Sequence, residues 1–311
     1  MSVSATPRLG MVGKAPCQAD FLRIQASSPL AHQFLHWLSA GVEAARAARC
    51  GLPSGTASFL FTVPGERNVL AGVFSPSVDG VGRAFPLAVF TELAASALAL
   101  RLSLLPLALR PFLLASSELL RASASMDLPE LTRQVGILPP PDMEDFVSAD
   151  RQLQELLAGR RGVDLLAPLS HPEEALDSTY YALHTFRVAC TGERHRQDTP
   201  AHIILECPLV NGLGPAVWLE LAAKLLRWTS TPPAFAWSDG AEPRLLLCLG
   251  TTAPELFLHL ARPGWDGSHL WPLRTTRAAA IEHARRSLSE TQRRHIDSPT
   301  TPLEALLHAL S

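Results

Sequence analysis

Three short runs of β-branched and aromatic residues near the start of the chain most strongly constrain its fold. They cover residues 58–63, 69–74 and 85–90, and Pro64-Gly65 between the first two runs is a turn signal typical of a hairpin. Because hairpins make antiparallel sheet, this half lacks the strand–helix–strand alternation of nucleotide-binding folds. The pattern predicts an α/β fold of the α+β kind, in which helices flank an antiparallel N-terminal sheet.

Helices are predicted on both sides of these strands. Apolar side chains recur at helical spacing after Pro29, and Gly51 with Pro53 predicts where this first helix ends. Residues 93–114 are rich in Leu and Ala but are interrupted by arginines and prolines. Because a charge inside a bilayer is costly and proline breaks helical hydrogen bonding, this segment favours two buried helices that turn at Pro106 or Pro111 over a membrane span.

The sequence of the second half predicts another hairpin beside a helix. The sequence shows no internal repeat of fixed period. Ser238-Asp239-Gly240 is the turn signal of this hairpin. Glu173 and Glu174 are typical of the first turn of a helix, where the helix dipole favours acidic residues. The other predicted elements are a strand over 202–207, a helix over 215–228, the hairpin strands 234–237 and 244–249, a strongly charged helix over 277–295 and an apolar helix over 303–310.

Three consecutive prolines at residues 139–141 mark the predicted domain boundary. They stiffen the backbone and donate no hydrogen bonds to a sheet. A chain of 311 residues also fits two domains better than one. We therefore predict an N-terminal domain over residues 1–138 and a second, mixed α/β domain over residues 145–311.

The composition restricts the class of protein. Hydrophobic residues make up 47% and charged residues 18%, which is typical of packed cores and not of a disordered chain. The formal net charge of -2 gives no electrostatic footprint for nucleic acid or anionic lipid. The five cysteines are scattered and odd in number, which predicts reduced and mostly buried thiols. Residues 1–10 show no signal peptide, so we expect a location in the cell interior.

The motifs that common catalytic sites require do not occur in the chain. A phosphate-binding P-loop needs glycines followed by a Lys-Ser/Thr pair, and no such run is found. The nearest approach to a dinucleotide-binding turn, Gly212-Leu213-Gly214, ends after two glycines and meets Pro215. The nucleophile elbow of the hydrolases is missing too. We therefore expect a protein that is not an enzyme and that binds no cofactor.

One segment gathers residue types that serve as zinc ligands in other proteins: Cys190, His195, His202 and Cys207. Their spacing is irregular, and Cys207 falls in an apolar predicted strand, where a buried core thiol is expected. We therefore predict no metal site here. The arginine pairs of the helix over 277–295 are diluted by acidic residues, so nucleic-acid binding is not predicted either.

Residues 76–86 link two predicted strands and have proline at both ends. Asp79 before Gly80 favours a turn in which the carboxylate accepts backbone N–H bonds, and Gly82 permits a backbone conformation that other residues resist. Arg83 offers five donors that could pair with Asp79 or bind neighbouring carbonyls. Two interpretations stay open: a structurally capped hairpin corner and an exposed contact loop.

The same segment resembles a known family. Residues 76–87, with Ser77 in second place, are similar to the P-S-x-D-x-V-G-R-x-F-P-L signature of the TagF (ImpM) family of type VI secretion proteins. Residues 10–16, which include Gly13 and Lys14, resemble the G-x-x-G-K-x-P opening of that family. The resemblance is good over the first 90 residues.

Two further stretches resemble motifs of the same family. Asp20-Phe21 matches its G-D-F motif, except that Ala19 replaces the glycine, and residues 235–240 resemble the W-W-T-x-G stretch of longer members. We take residues at these motif positions as candidates for binding a partner: Gly13, Lys14, Asp20, Phe21, Ser77, Asp79, Gly82, Arg83, Trp237 and Asp239.

The resemblance implies a non-catalytic cytoplasmic regulator that restrains assembly or firing of the type VI secretion system post-translationally. The implied partner is the forkhead-associated (FHA) scaffold protein of that system. Some family members are fused to, or work beside, a phosphatase of the threonine phosphorylation pathway. The resemblance also implies a longin-like N-terminal domain. It implies neither binding of a nucleic acid nor insertion into a membrane.

Two other functions stay open at the level of the sequence. One is a structural accessory component of the secretion apparatus. The other is a metal-dependent hydrolase or phosphatase that would use Asp20, Asp79 and a histidine from the second half. Phosphatase sites gather several Asp and His ligands around two metal ions, and the clustered motifs that do so are missing from this sequence.

Overall fold

The structure, a computed structural model, describes residues 8–169, 178–210, 212–240, 242–263, 267–275 and 277–311. The helix start predicted at Glu173 and Glu174 lies outside these residues. The strands are β1 (Arg8–Gly13), β2 (Leu22–Ile24), β3 (Ala57–Phe61), β4 (Asn68–Val78), β5 (Ala84–Ala94), β6 (Ile204–Pro208), β7 (Phe235–Ser238), β8 (Arg244–Cys248) and β9 (Leu270–Pro272). Across the described ranges they form one sheet of nine strands in the order β2-β1-β5-β4-β3-β7-β8-β6-β9.

The N-terminal strands confirm the predicted antiparallel sheet. β3 pairs antiparallel with β4, so Pro64-Gly65 lies in the connection of a hairpin. β4 pairs antiparallel with β5 along the full length of both strands, as far as Val78 opposite Ala84. β1 lies antiparallel on the other side of β5. The short loop between β4 and β5 therefore projects from one end of the sheet, beside the end of β1.

The strands of the second half continue the same sheet. β7 pairs antiparallel with β8, which confirms the second predicted hairpin. β8 also pairs antiparallel with β6, and β9 lies parallel to β6 at the edge. The two halves are joined where β3 pairs antiparallel with β7, with Ser58 opposite Trp237 and Leu60 opposite Phe235.

Helices cover both faces of this sheet. Those described are α1 (Pro29–Ala47), α2 (Ala95–Ala99), α3 (Leu105–Ala108), α4 (Arg110–Ala122), α5 (Leu128–Gly136), α6 (Met143–Gly159), α7 (Gly162–Leu166), α8 (Thr179–Gly192), α9 (Ala216–Leu226), α10 (Glu255–Ala261), α11 (Ala278–Ser287), α12 (Glu290–Asp297) and α13 (Leu303–Leu310). α1 and α10 pack on one face, and most of the others pack on the opposite face. Because both faces are covered, strands such as β8 are apolar in continuous runs, with successive side chains pointing into the two cores.

α1 connects the N-terminal strands to the second half of the chain. Its first turn is capped by the Ser28 hydroxyl, which accepts a backbone N–H bond at 3.1 Å. Phe34 on its inner face is fully buried and stacks on Phe59 of β3, with 4.7 Å between the ring centroids. The Trp37 indole donates a hydrogen bond to the carbonyl of Ala253, at 3.1 Å. The predicted helix therefore serves as the main cover of one sheet face.

Buried helices follow β5, as the segment 93–114 predicts, but the turn lies at Leu109, and Pro106 and Pro111 lie in the first turns of α3 and α4. α3 and α4 meet at Leu109, and Phe112 of α4 is buried in the core. Within the described ranges, no single helix is long and apolar enough to cross a membrane. One pair of helical segments, Leu102–Ala108 with Arg110–Ser125, has sufficient length and apolar composition, but its two parts are bent by 51°.

The single charged helix predicted over 277–295 is wrong, because the chain forms two helices there. α11 ends at Ser287, and α12 begins at Glu290. The Ser289 hydroxyl accepts the N–H of Gln292 at 3.2 Å, while the Gln292 side chain accepts the N–H of Ser289 at 3.0 Å. This reciprocal capping box starts a new helix. Leu288, which lies in the break between the two helices, is buried. A continuous charged helix would not account for its burial.

The prolines at 139–141 lie between α5 and α6. The acidic residues after them start α6, because the Asp142 carboxylate accepts the backbone N–H bonds of Glu144 and Asp145 at 2.8 and 3.0 Å. The predicted boundary thus falls between two regular elements. Strands of both predicted domains share one sheet, and the division into two domains stays a prediction.

We expect Phe34→Ala to lower the free energy of unfolding by about 3–5 kcal/mol, because it leaves a cavity among the aromatic rings beneath α1. His36→Ala, on the exposed side of the same helix, should change it by less than about 0.5 kcal/mol. Chemical denaturation of both variants measures the difference. Similar losses in the two would contradict this description of the core.

Candidate functional site

The two N-terminal motif segments meet at the end of the sheet where the β4–β5 loop projects. β4 and β5 are paired up to Val78 and Ala84, so the loop between them is only residues 79–83. β1 is paired with β5 at Gly13 and Leu87, and the chain leaves β1 directly beside this loop. Strand pairing therefore brings together two segments that are far apart in the sequence.

Asp79 is the centre of this contact. Its Oδ1 accepts the backbone N–H bonds of Val81 at 3.1 Å and of Arg83 at 2.8 Å. Its Oδ2 accepts hydrogen bonds from Lys14 Nζ and from Arg83 Nε, both at 2.7 Å. The predicted turn and the predicted pairing of Asp79 with Arg83 are both confirmed. Lys14 is an additional partner, 65 residues away in the chain.

We call Lys14, Asp79 and Arg83 the clasp. The side chain of Asp79 has no exposed surface, that of Lys14 is nearly buried, and that of Arg83 is 55% exposed. Burial by itself would raise the pKa of Asp79, but the hydrogen bonds from Lys14 and Arg83 hold that pKa well below its ordinary value. A buried carboxylate is tolerated because two cations and two backbone N–H groups replace its water.

Backbone carbonyls of the segment after β1 complete the contact. The Arg83 guanidinium donates to the carbonyl of Ala19, and the N–H of Gly80 donates to the carbonyl of Gln18 at 2.9 Å. Arg83 therefore both pairs with Asp79 and binds a neighbouring carbonyl. Because the acceptor at position 19 is a backbone atom, replacement of the family's glycine by alanine leaves this bond in place.

Two motif glycines have backbone conformations that the clasp requires. Gly13 has a φ of 127°, and a Cβ added there would lie 2.0 Å from the carbonyl oxygen of Pro86. Gly82 has a φ of 82°, and its N–H donates to the carbonyl of Asp79 at 2.9 Å. Side chains at either position would oppose the close approach of strands or the tight turn.

Phe21 packs beside the clasp, and two other candidates border it. The Phe21 ring lies edge-on to Phe85, with 4.8 Å between ring centroids, and Lys14 Nζ lies 5.4 Å from its centre. Asp20 is exposed, and its backbone carbonyl accepts a hydrogen bond from a glutamine side chain. The hydroxyl of Ser77, just before the loop, donates to the carbonyl of Val78 at 3.5 Å.

Trp237 and Asp239 lie elsewhere, at the end of β7. Together with residues of α3, α4 and α6 they line a cleft of about 470 Å³. Trp237 is almost fully buried against the core, and burial raises the pKa of the Asp239 carboxyl. The structure therefore separates these two candidates from the clasp, because β7 is joined to the N-terminal sheet through β3.

The segment with zinc-binding residue types contains buried thiols. Cys190 and Cys207 are fully buried in the core, and burial raises the pKa of each thiol. Cys248 is buried as well, with its pKa raised to about 12. Within the part of the chain that the structure describes, no three His, Cys, Asp or Glu side chains are grouped so that they could hold a metal ion.

Sequence reasoning missed the ion pair between Lys14 and Asp79. Both residues were candidates, but nothing in their spacing indicated that they touch. The available signal was the turn at Asp79 together with a lysine in an otherwise apolar segment at the end of β1. A lysine that cannot reach water needs a carboxylate partner nearby.

We expect Asp79→Asn to lower the melting temperature by several degrees, because it leaves the Lys14 ammonium buried without a counter-charge. Asp20→Asn, an exposed residue of the segment after β1, serves as the control and should leave the melting temperature unchanged. Thermal unfolding at neutral pH measures both. A Lys14→Met, Asp79→Asn double variant should lose less than the sum of the two single variants.

The stabilising effect of Asp79 should depend on acid pH. Its pKa is lower in the folded than in the unfolded protein, so the contribution is complete above the unfolded value of about 4 and is lost as pH falls toward the folded value. The difference in melting temperature between wild type and Asp79→Asn should thus be constant above about pH 5 and shrink below pH 4. A difference that grew on acidification would contradict the depressed pKa.

Comparison with known proteins agrees with the clasp motifs. Among solved structures, the chain is similar to the crystal structure of PA0076 from Pseudomonas aeruginosa PAO1. The sequence identity is 18%, the TM-score is 0.48, and the match covers 83% of this chain and 96% of that chain. No curated protein matches the chain. Residues 10–136, which contain the whole clasp, match the family described as TagF N-terminal domain, type VI secretion system-associated. Over these residues, the chain is similar to the TagF family.

Proposed function

We propose that the protein is a non-catalytic cytoplasmic regulator that restrains assembly or firing of the type VI secretion system by binding its FHA scaffold protein. The association with type VI secretion follows from the family match over residues 10–136. The restraining role and the FHA partner are the proposal. A second candidate partner is the phosphatase of the threonine phosphorylation pathway, beside which some family members work.

The hydrogen bonding of the Asp79 carboxylate is the observation that best supports this proposal. The carboxylate accepts four hydrogen bonds, from Lys14, Val81 and twice from Arg83. A carboxylate with its lone pairs occupied is a poor metal ligand, and one with a depressed pKa is a weak general base. The Asp79 carboxylate, the most conspicuous charged group of the family motif, thus holds the β4–β5 loop in place. This supports a binding role over a catalytic one.

The position of the loop also supports recognition. It connects two long paired strands at one end of the sheet, and it is held to the segment after β1 by hydrogen bonds. Binding residues are concentrated on loops that a rigid scaffold positions. A loop fixed before binding loses little conformational freedom when a partner docks, which favours affinity.

Binding of the purified chain to the FHA protein of the same secretion system tests the proposal. Calorimetric titration should show a saturable complex, and deletion of the gene should raise secretion while leaving the abundance of apparatus proteins unchanged. A saturable complex without any effect on secretion would contradict the restraining role. Absence of a complex with both the phosphorylated and unphosphorylated FHA protein would contradict the partner.

We expect Arg83→Ala to weaken this complex by about tenfold and to raise secretion, because the bonds from the Arg83 guanidinium to the Asp79 carboxylate and to the Ala19 carbonyl are lost. Arg133→Ala is a matched control, since Arg133 is 58% exposed and paired with Glu130 on α5. Thermal stability recorded beside affinity separates an unfolded loop from lost partner contacts. If Arg83→Ala stays stable and binds normally, the loop has neither role.

Two other measurements decide between this proposal and the alternatives. A structural component of the apparatus would be found at fixed stoichiometry in sheared, purified apparatus, whereas a regulator should be absent from it. A metal-dependent hydrolase or phosphatase would contain stoichiometric manganese or zinc after purification. We expect neither metal above trace level, and a full equivalent of either would overturn the non-catalytic role.

A further inference from the structure

Three apolar side chains are exposed around the clasp. Phe21 is 44% exposed, Val78 is 45% exposed and Val81 is 63% exposed. We call these three residues the tip. Val78 and Val81 lie within two positions of Asp79, and the Phe21 ring is in contact range of Lys14. Single exposed apolar residues are common on protein surfaces, but three around one rigid loop suggest a contact surface.

The clasp positions the loop, and the tip is available to contact a partner. The polar groups of the clasp are directed at each other and at backbone atoms, so Lys14 and Asp79 have little left to offer a partner. The tip side chains are partly exposed to solvent, although the Phe21 ring also packs edge-on against Phe85. Lys14 and Asp79 are therefore positioning residues, and the tip is the part of the loop available for contact.

The charge of the clasp indicates the chemistry of the partner. Two cations pair with one buried carboxylate, so the clasp itself carries one excess positive charge, while the exposed Asp20 lies in the segment that borders it. The exposed cation of the set is Arg83. A second guanidinium lies alongside, because Arg46 at the end of α1 donates to the carbonyl of Ala84 at 3.4 Å. A partner surface with carboxylates beside an apolar recess complements both features.

We propose that the tip inserts into an apolar recess bordered by carboxylates on the protein partner. This inference rests on the proposed function, and it names the surface through which that partner is bound.

The test compares Val81→Asp with Val147→Asp in calorimetric titrations against the FHA protein. Val147 lies on α6 and is 60% exposed, so the control places the same charge on an equally exposed valine away from the clasp. We expect Val81→Asp to lose at least about tenfold in affinity and Val147→Asp to stay within about twofold. Thermal melts of both variants verify folding, and Val78→Asp replaces Val81→Asp if the latter is destabilised.

The other outcomes are distinguishable. Normal binding by both Val81→Asp and Val78→Asp would overturn the tip as the contact surface and leave the proposed function standing. Failure of the wild type to bind would overturn the proposed function and the tip together. A change in self-association of Val81→Asp in sedimentation velocity, with unchanged affinity for the FHA protein, would make the tip a contact between copies and overturn the inference. Affinity that does not weaken with added salt would overturn the carboxylate border.

Discussion

A carboxylate buried at the end of a sheet needs donors from more than one segment of chain, and this requirement organises the N-terminal part of the molecule. Asp79 receives donors from its own loop and from Lys14, at the end of β1. The ion pair is possible because β5 is paired with β1 on one side and with β4 on the other. Motif residues that are distant in sequence thus become one cluster. Loss of the carboxylate would leave a buried ammonium and would remove the bonds that Val81 and Arg83 donate to it.

The sheet gives this cluster a rigid base. Both of its faces are covered by helices, and strands from the two halves of the chain are continuous through the pairing of β3 with β7. α1 adds a second connection, since Trp37 reaches the carbonyl of Ala253. Motion of the β4–β5 loop relative to the rest of the protein is therefore restricted by strand pairing at its base and by the clasp at its end. Such a loop is suited to present a fixed surface to a partner.

Local signals predicted much of this fold. The Pro64-Gly65 turn and the runs of β-branched and aromatic residues on either side of it were sufficient for the first hairpin, and the helical spacing after Pro29 was sufficient for α1. The pairing of β3 with β7 was not predictable, because these strands are far apart in sequence and the residues of neither strand indicate which strand it pairs with. The charged helix over 277–295 was misjudged because the capping box at Ser289 was read as part of a continuous pattern. At the site, the turn at Asp79 and its pairing with Arg83 were local and were predicted. The bond to Lys14 depends on tertiary structure and was not.

The loop fixed by the clasp is the proposed surface by which this protein, similar to the TagF family over residues 10–136, meets its partner. Hydrogen exchange of the chain, alone and with the FHA protein, tests it most directly. The amides of Val81 and Arg83 should be protected in the free chain, because the Asp79 carboxylate accepts them. Addition of the partner should slow exchange across residues 76–87 and leave α6 unchanged. Protection confined to other regions, with residues 76–87 exchanging as they do in the free chain, would contradict the account.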